Sequence, residues 1–113
     1  MSEIFYLKQG NLRPSYVVIL KDADKNPVNI STATAVRLHM KTPGGAIKVD
    51  AEMINRDDGT EALRGKCEYE WQAGDSDTAG TFYAEVEVTW PDTDPETFPN
   101  DGYNIVKITE KLA

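Results

Sequence analysis

The chain has 113 residues, a formal net charge of −7, 40% hydrophobic and 27% charged residues, and a single cysteine, Cys67. These values predict one globular domain over residues 1–113, large enough to bury roughly two-thirds of the surface that the unfolded chain exposes, without a disulfide. The acidic balance argues against a nucleic-acid partner, and no apolar run approaches the ~20 residues of a membrane span. The first residues, "MSEIFYLKQG", lack the pattern of a signal peptide, so we expect folding in a cytosol.

The first half of the chain predicts short strands. The stretch "EIFYLKQG" favours a short edge strand, and "SYVVILKD" favours a strand that is apolar on both faces. The glycine-rich "TPGGA" separates two alternating runs, so residues 35–53 read as a hairpin. The side chains that these two runs place inward are Val36, Leu38 and Met40, then Ile47, Val49, Ala51 and Met53.

Alternation is clearest in the second half. The stretch "LRGKCEYEW" places Leu63, Gly65, Cys67, Tyr69 and Trp71 on one face, and "TFYAEVEVTW" does the same for Phe82, Ala84, Val86, Val88 and Trp90. A final strand is expected in "YNIVKIT". This spacing predicts an all-β fold, an immunoglobulin-like antiparallel β-sandwich of about seven to eight strands.

Acidic residues in "PDTDPETF" are candidates for a cation site. Asp92, Asp94 and Glu96 have the early spacing of a calcium loop, but the glycine and the final acidic residue of that motif are missing. A solvated hairpin tip explains the same residues. We therefore expect no metal and no cofactor, with these three carboxylates as weak candidates.

The sequence does not assemble a catalytic group. His39 falls on the outward phase of its strand and Cys67 on the inward phase of another, so they are not expected to meet. Trp71, Trp90, Tyr69 and Phe82 could form a carbohydrate platform, although the shared inward phase of both tryptophans favours a core position. No nucleophile, base and orienting group fall together, so the chain is not expected to be an enzyme.

The segment "FPNDGY" is predicted to form a corner before the last strand. Phe98 is expected to plug one end of the sandwich and Pro99 to stop the preceding strand. Asn100, Asp101 and Gly102 supply a turn in which Gly102 takes a positive φ. Tyr103 opens the closing strand, by analogy with the tyrosine corner of immunoglobulin folds.

These stretches resemble a known family. From about Leu7 to Ile108, and most specifically in "YEWQAGDSDTAGTFYAEVEV" and "TFPNDGY", the chain is similar to small bacteriophage immunoglobulin-like domains such as the N-terminal domain of phage baseplate upper proteins. Trp71 and residues 98–103 carry this signature. The resemblance implies a non-enzymatic virion structural protein, made in the host cytoplasm, that binds other virion proteins in the tail, baseplate or neck and is homo-oligomeric or arrayed in a ring. A capsid decoration protein, or a carbohydrate- or receptor-binding module with acidic, calcium-binding loops, remains the alternative.

Apolar residues on both phases of the first two strands predict a protein interface. A half-buried strand needs only one apolar face, so a second apolar face indicates that something else covers it. The residues expected to contribute are Ile4, Phe5, Tyr6, Leu7, Val17 and Ile19.

Overall fold

A computed structural model describes residues 4–99 and 102–112 of the chain. Within these residues it contains a short 3-10 helix, Glu61–Leu63, and nine β-strands. In chain order the strands are β1 (Ile4–Lys8), β2 (Tyr16–Ile19), β3 (Ala35–Lys41), β4 (Ile47–Glu52), β5 (Ile54–Asn55), β6 (Lys66–Tyr69), β7 (Gly80–Thr89), β8 (Pro95–Phe98) and β9 (Asn104–Thr109).

Two sheets pack face to face and confirm the predicted β-sandwich. The larger sheet has the order β1-β9-β7-β3-β4, with β8 also paired to β7, and the smaller sheet has the order β2-β6-β5. Two details differ from the prediction. The described residues hold nine strands rather than seven or eight, because β5 is a two-residue strand and the C-terminal strand is divided into β8 and β9. In addition, β1 runs parallel to β9, which a pair of strands from opposite ends of the chain can do because no tight turn joins them.

The core lies between the two sheets and follows the predicted alternation. The inward side chains of β3 and β7 are buried, as are those of β6 and β9. Residues predicted to be inward and found buried are Val36, Leu38, Met40, Val49, Met53, Cys67, Tyr69, Trp71, Phe82, Ala84, Val86 and Val88. Period-two alternation therefore identified most of the core correctly.

Four residues depart from the predicted core, and the first of them, Ala51, is only half-buried against it. Ile47 was expected inward but is 66% exposed, because the pairing of β3 with β4 shifts register between Met40 and Lys41 and places Ile47 beyond that irregularity. Trp90 is only half-buried, since it follows the last residue of β7 and donates its Nε1–H to Glu96 across the hairpin tip. Leu63 is half-buried in the 3-10 helix rather than in a strand.

The "FPNDGY" segment interrupts a strand. Along β7, Phe98 of β8 lies opposite Val86 and Asn104 of β9 lies opposite Ala84, so both strands follow one edge of β7 in succession. Of the residues between these two strands, Pro99, Gly102 and Tyr103 are described and belong to neither strand. Phe98 is buried and Gly102 has a φ of +72°, in agreement with the expected plug and turn. Asn100 and Asp101 lie outside the described residues.

Within the part of the chain that the structure describes, Tyr103 does not form a tyrosine corner. Its ring stacks on Tyr83 with a centroid separation of 4.2 Å and an interplanar angle of 18°. Tyr83 belongs to the outward face of β7, whose inward neighbours Phe82 and Ala84 are buried. Tyr103 is therefore part of the outer surface of the larger sheet, because it stacks on an outward side chain of β7.

A cluster of aromatic rings closes the sandwich between β1 and β2. Phe5 packs edge-on against Tyr16 at 5.2 Å, and Trp71 lies about the same distance from each, at 6.1 Å. Tyr69 meets Trp71 edge-on at 5.3 Å. The indole Nε1–H of Trp71 donates to the carbonyl of Pro14, so its one polar group is satisfied although the ring is buried. These contacts join the two sheets and position β1 beside β2.

A buried carboxylate anchors the loop before β6. Asp57 is 7% exposed and accepts hydrogen bonds from the backbone N–H groups of Ile30, Gly59 and Gly65. Burial raises the pKa of Asp57, but these three N–H donors and the charge of Arg64 outweigh burial and leave the pKa below its ordinary value. Asp57 thus ties three separated pieces of backbone to one point.

Cys67 is a core residue rather than a reactive thiol. Its side chain is fully buried, its Sγ lies 3.7 Å from the carbonyl of Val18, and burial raises its pKa to about 12. The thiolate is the nucleophilic form of cysteine, and it is almost absent at neutral pH when the pKa is this high.

We expect native protein to resist alkylation of Cys67 by iodoacetamide at pH 8. The same thiol should react completely in denaturing urea, because only opened molecules expose it. Mass spectrometry of native and unfolded samples measures both rates. Rapid stoichiometric modification of the native protein would contradict the buried position of Cys67.

Candidate binding surface

One side of the sandwich has two free strand edges close together. Among the described residues, β1 pairs only with β9 and β2 pairs only with β6, so each is the outer strand of its sheet. The aromatic contact between Phe5 and Tyr16 brings these two edges together. We call this region the open side.

A shallow groove runs between the two edges. It has a volume of about 180 Å³ and is lined by Ile4, Phe5, Tyr16, Val17 and Val18. Ile4 is 50% exposed and Val17 is 43% exposed, whereas Tyr16 and Val18 are buried beneath them. The side chains that form the floor and the rims of the groove are therefore aliphatic or aromatic.

The main chain of β1 offers unpaired hydrogen-bonding groups along the open side. The N–H of Gln9 donates to the carbonyl of Thr109, so the N–H groups of Leu7 and Phe5 also face β9, since the two sides of a strand alternate. The N–H and C=O of Tyr6 and the N–H of Lys8 then face away from β9. No described strand pairs with them. The C=O of Lys8 accepts from the N–H of Asn11, which ends the free edge at this residue.

The outer face of the larger sheet adds an apolar patch beside this edge. Ile4 lies next to Ile105 across β1 and β9, and Ile105 lies next to Tyr83 across β9 and β7. Tyr103 stacks on Tyr83, and Tyr6, which is 60% exposed, follows Ile4 on the same face of β1. We call Ile4, Tyr6, Tyr83, Tyr103 and Ile105 the outer patch. Apolar side chains thus lie on both sides of the free main-chain edge.

The structure places most of the sequence-predicted interface at the open side. Ile4, Tyr6 and Val17 are exposed there, and Ile19 is half-buried on the outward face of β2. Phe5 is half-buried and packs against the core. Leu7 is 2% exposed and belongs to the core, because its side chain shares the inward face with Phe5, so it is not available to a partner.

The strands of the open side carry only positive charge. Within β1, β2 and β9 the charged side chains are Lys8 and Lys107, and both are exposed. The pairing of Tyr6 with Lys107 and of Lys8 with Thr109 sets the two lysines in adjacent rows of the outer face. Neither forms an ion pair with a described residue. An acidic chain thus presents a basic edge.

The three candidate calcium ligands do not converge on one point. The carboxylate of Asp92 accepts from the N–H of Asp94, and that of Glu96 accepts from the indole of Trp90, so two of the three carboxylates have a local structural partner. Among the described residues no group of three or more His, Cys, Asp and Glu side chains could hold a metal ion. The turn between β7 and β8 accounts for these residues through backbone bonds between Trp90, Asp94 and Thr93.

His39 lies among charges on the outer face of the larger sheet. Its Nδ1 is 3.5 Å from Asp50 and its Nε2 is 3.4 Å from Glu87. Arg37 donates a hydrogen bond to Asp50 and holds the pKa of that carboxyl below its ordinary value. Cys67 lies in the core, so the structure keeps His39 and Cys67 apart as the sequence predicted.

The outer patch was missed at the level of sequence. Tyr83 and Ile105 lie on the outward faces of their strands. The sequence pattern was interpreted only for the inward faces of strands, as core. Only the parallel register of β1 against β9 brings Ile4 beside Ile105. No short motif signals that neighbourhood.

Within the described residues no helix is long and apolar enough to cross a membrane.

Comparisons with known proteins give one structural match. No protein-family model and no curated protein matches the sequence. The solved structure of CopC from Methylosinus trichosporium OB3b matches with a TM-score of 0.54 and 9% sequence identity, covering 99% of this chain and 89% of that one. At this identity the likeness shows a shared fold, and it assigns no function to this chain.

The expected virion function is contradicted by this comparison. The matching structure is a CopC rather than a phage tail, neck, baseplate or capsid protein. The sequence resemblance to phage immunoglobulin-like domains came from short turn and strand patterns that a β-sandwich of other ancestry also satisfies, because alternation and turn residues report the fold. The resemblance and the virion location drawn from it are tested by none of these comparisons.

Proposed function

We propose that the chain is a non-catalytic protein-binding domain, and that its ligand is an extended segment of a partner protein added as a further strand along β1. One observation carries this proposal. The free N–H and C=O groups of Tyr6 lie between two apolar surfaces, the groove on one side and the outer patch on the other. A strand added at an edge uses main-chain bonds for affinity and alternate side chains for specificity.

The side chains must supply much of the affinity. The edge from Ile4 to Lys8 offers only a few main-chain groups for hydrogen bonding. Each hydrogen bond to the partner contributes a net stabilisation of about 0.5–1.5 kcal/mol. That sum is offset by the cost of ordering an extended segment. Burial of exposed Ile4, Tyr6 and Val17 would add roughly 25 cal/mol for each Å² of apolar surface removed from water. A partner segment with apolar residues facing the groove fits this requirement.

The absence of catalytic chemistry is also a proposal, and the titratable residues support it. Cys67 is protonated and buried, and His39 has carboxylates on both sides rather than a nucleophile. Asp57 is ionised but occupied by three backbone donors. Each such group has a contact of its own in the fold, whereas the main-chain N–H and C=O of Tyr6 pair with no described strand.

A partner segment fits the edge better than a second copy of the chain. Antiparallel pairing of β1 with β1 of another copy would bring two sets of Lys8 and Lys107 to one interface, and edge lysines disfavour that pairing. The homo-oligomer expected from the sequence stays a prediction. Sedimentation across a range of protein concentrations tests it.

Tyr6→Pro is expected to weaken binding by at least about tenfold while the domain stays folded. Proline removes the N–H that faces the open side, and that N–H makes no bond within the described sheet. Tyr6→Thr is the matched control, because it removes the same ring but keeps the N–H in a residue that favours strands. The probe is an array of ten-residue peptides in which valine, leucine or tyrosine alternates with threonine. Isothermal titration calorimetry of the array hits should show a loss of at least about tenfold for Tyr6→Pro, equal to about 1.4 kcal/mol, and a smaller loss for Tyr6→Thr.

Hydrogen exchange locates the bound segment. Wild-type protein with a binding peptide should gain protection at the N–H groups of Tyr6 and Lys8, and little elsewhere. The proposal is overturned if no peptide protects β1, or if Tyr6→Pro binds as tightly as Tyr6→Thr. Concentration-dependent dimerisation through β1 without peptide would replace the partner segment with a second copy.

A further inference from the structure

We propose that the segment added to β1 is acidic, with carboxylates that face Lys8 and Lys107. This inference rests on the function proposed above and names the chemistry of its partner. The strands of the open side hold these two lysines and no Asp or Glu, although the whole chain has a net charge of −7. The charged side chains within these strands therefore have the opposite sign to the net charge of the chain.

Local charge decides the interaction at this range. A segment paired to β1 lies about 5 Å from it, and Lys8 projects from the same strand. At physiological ionic strength the Debye length is about 8 Å, so carboxylates elsewhere on the domain are screened more strongly than the two edge lysines. A carboxylate on the added strand would therefore experience mainly Lys8, with a weaker contribution from Lys107, which lies one strand farther away on β9.

Three other cations in or beside the sheets are paired, whereas Lys41 and Lys66, like Lys8 and Lys107, form no ion pair with a described residue. Arg37 pairs with Asp50, Lys48 with Asp77, and Arg56 with Glu68. Glu68 is the carboxylate directly opposite Val17 of β2, and it is already held by Ser15 and Arg56, which keep its pKa below the ordinary value. This carboxylate is neutralised by its own neighbours and leaves the positive charge of Lys8 and Lys107 uncompensated.

The alternation of a strand sets the pattern of the partner. Tyr6 and Lys8 share the outer face of β1, and Lys107 lies beside Tyr6 on β9. Carboxylates on the outer face of the added strand would meet these lysines, while the alternate side chains would point into the groove beside Phe5 and Val17. The arrangement of β1 therefore favours binding of a segment in which acidic and apolar residues alternate.

Three matched peptides test the charge. Each has ten residues with valine at alternate positions, and the remaining positions are glutamate in one peptide, lysine in the second and threonine in the third. The glutamate peptide should bind wild-type protein about tenfold more tightly than the lysine peptide at 50 mM NaCl, since exposed pairs contribute modestly and the lysine peptide reverses their sign. The ratio should fall as NaCl is raised.

Variants of the chain identify the source of the preference. In the double variant Lys8→Gln, Lys107→Gln, the ratio of the affinities for the glutamate and lysine peptides should fall close to one. Lys41→Gln is the control, because it removes one exposed charge on β3, two strands from β9, and should leave the ratio largely unchanged. Amide shifts in nuclear magnetic resonance spectra should map binding to β1.

Each outcome separates the two proposals. If the threonine peptide protects β1 and the glutamate peptide binds no more tightly, the acidic partner is wrong and the protein-binding edge stands. A preference for glutamate that persists in the double lysine variant also overturns this inference. If none of the three peptides binds and the array described above gives no hit at β1, the proposed function itself fails.

Discussion

Gly65→Ala is expected to destabilise the domain by roughly 3 kcal/mol or more, the sum of a steric and a conformational penalty. Gly65 has a φ of +76°, and a Cβ added there would lie 2.7 Å from the carbonyl oxygen of Leu20 and 3.1 Å from that of Val28. Both contacts are with backbone, so no side chain can rotate away. The N–H of Gly65 is also held by Asp57, which prevents a small shift of the loop.

Gly74→Ala separates the two penalties. Gly74 has a φ of +95°, but no atom lies within 4 Å of its added Cβ, so only the conformational cost of roughly 1 kcal/mol is expected. Urea denaturation of both variants and the wild type measures the difference in unfolding free energy. Equal losses for the two variants would show that the close approach at Gly65 is relieved at little cost.

The contrast between Gly65 and Gly102 shows what a sequence pattern can predict. Gly102 stands in an Asn-Asp-Gly turn, and its positive φ was expected from local chemistry alone. Gly65 looked like one more inward position of an alternating strand. Its requirement for glycine comes from Leu20 and Val28, more than thirty residues away in the chain, and no local pattern reports such a contact.

At the open side, too, the features contained in a single strand could be predicted from the sequence, and those that depend on contacts between distant strands could not. Apolar residues on both phases of β1 and β2 indicated an interface at Ile4, Tyr6 and Val17, because that pattern is contained in each strand. The groove required the packing of Phe5 on Tyr16, and the outer patch required a parallel pairing of the two ends of the chain. The fold class followed from alternation and turns, whereas the neighbours of each strand did not. The functional assignment by resemblance failed for a related reason, since patterns that report a fold are shared by proteins of different function.

Asp57→Ala is expected to cost about 3 kcal/mol or more of unfolding free energy at pH 7, because buried backbone donors left without an acceptor cost about 1–3 kcal/mol each. The carboxylate is buried and accepts from Ile30, Gly59 and Gly65, which belong to separate parts of the chain. Asp58→Ala is the matched control. The neighbouring Asp58 is exposed and bonds only within its own turn, to the N–H and hydroxyl of Thr60, so its loss should have a much smaller effect.

The pH dependence of the Asp57 effect has a definite sign. The folded pKa of Asp57 lies below its ordinary value of 3.8, so the ionised form stabilises the fold at pH values above 3.8, and this stabilisation is lost as the pH falls through the folded pKa. Asp57→Asn keeps the shape and one acceptor oxygen but carries no charge. The difference in unfolding free energy between the wild type and Asp57→Asn should therefore be largest near pH 7 and shrink below about pH 4. A difference that stays constant from pH 7 to pH 3, measured by urea denaturation, would show that the charge of Asp57 contributes nothing and that its hydrogen-bond geometry alone holds the loop.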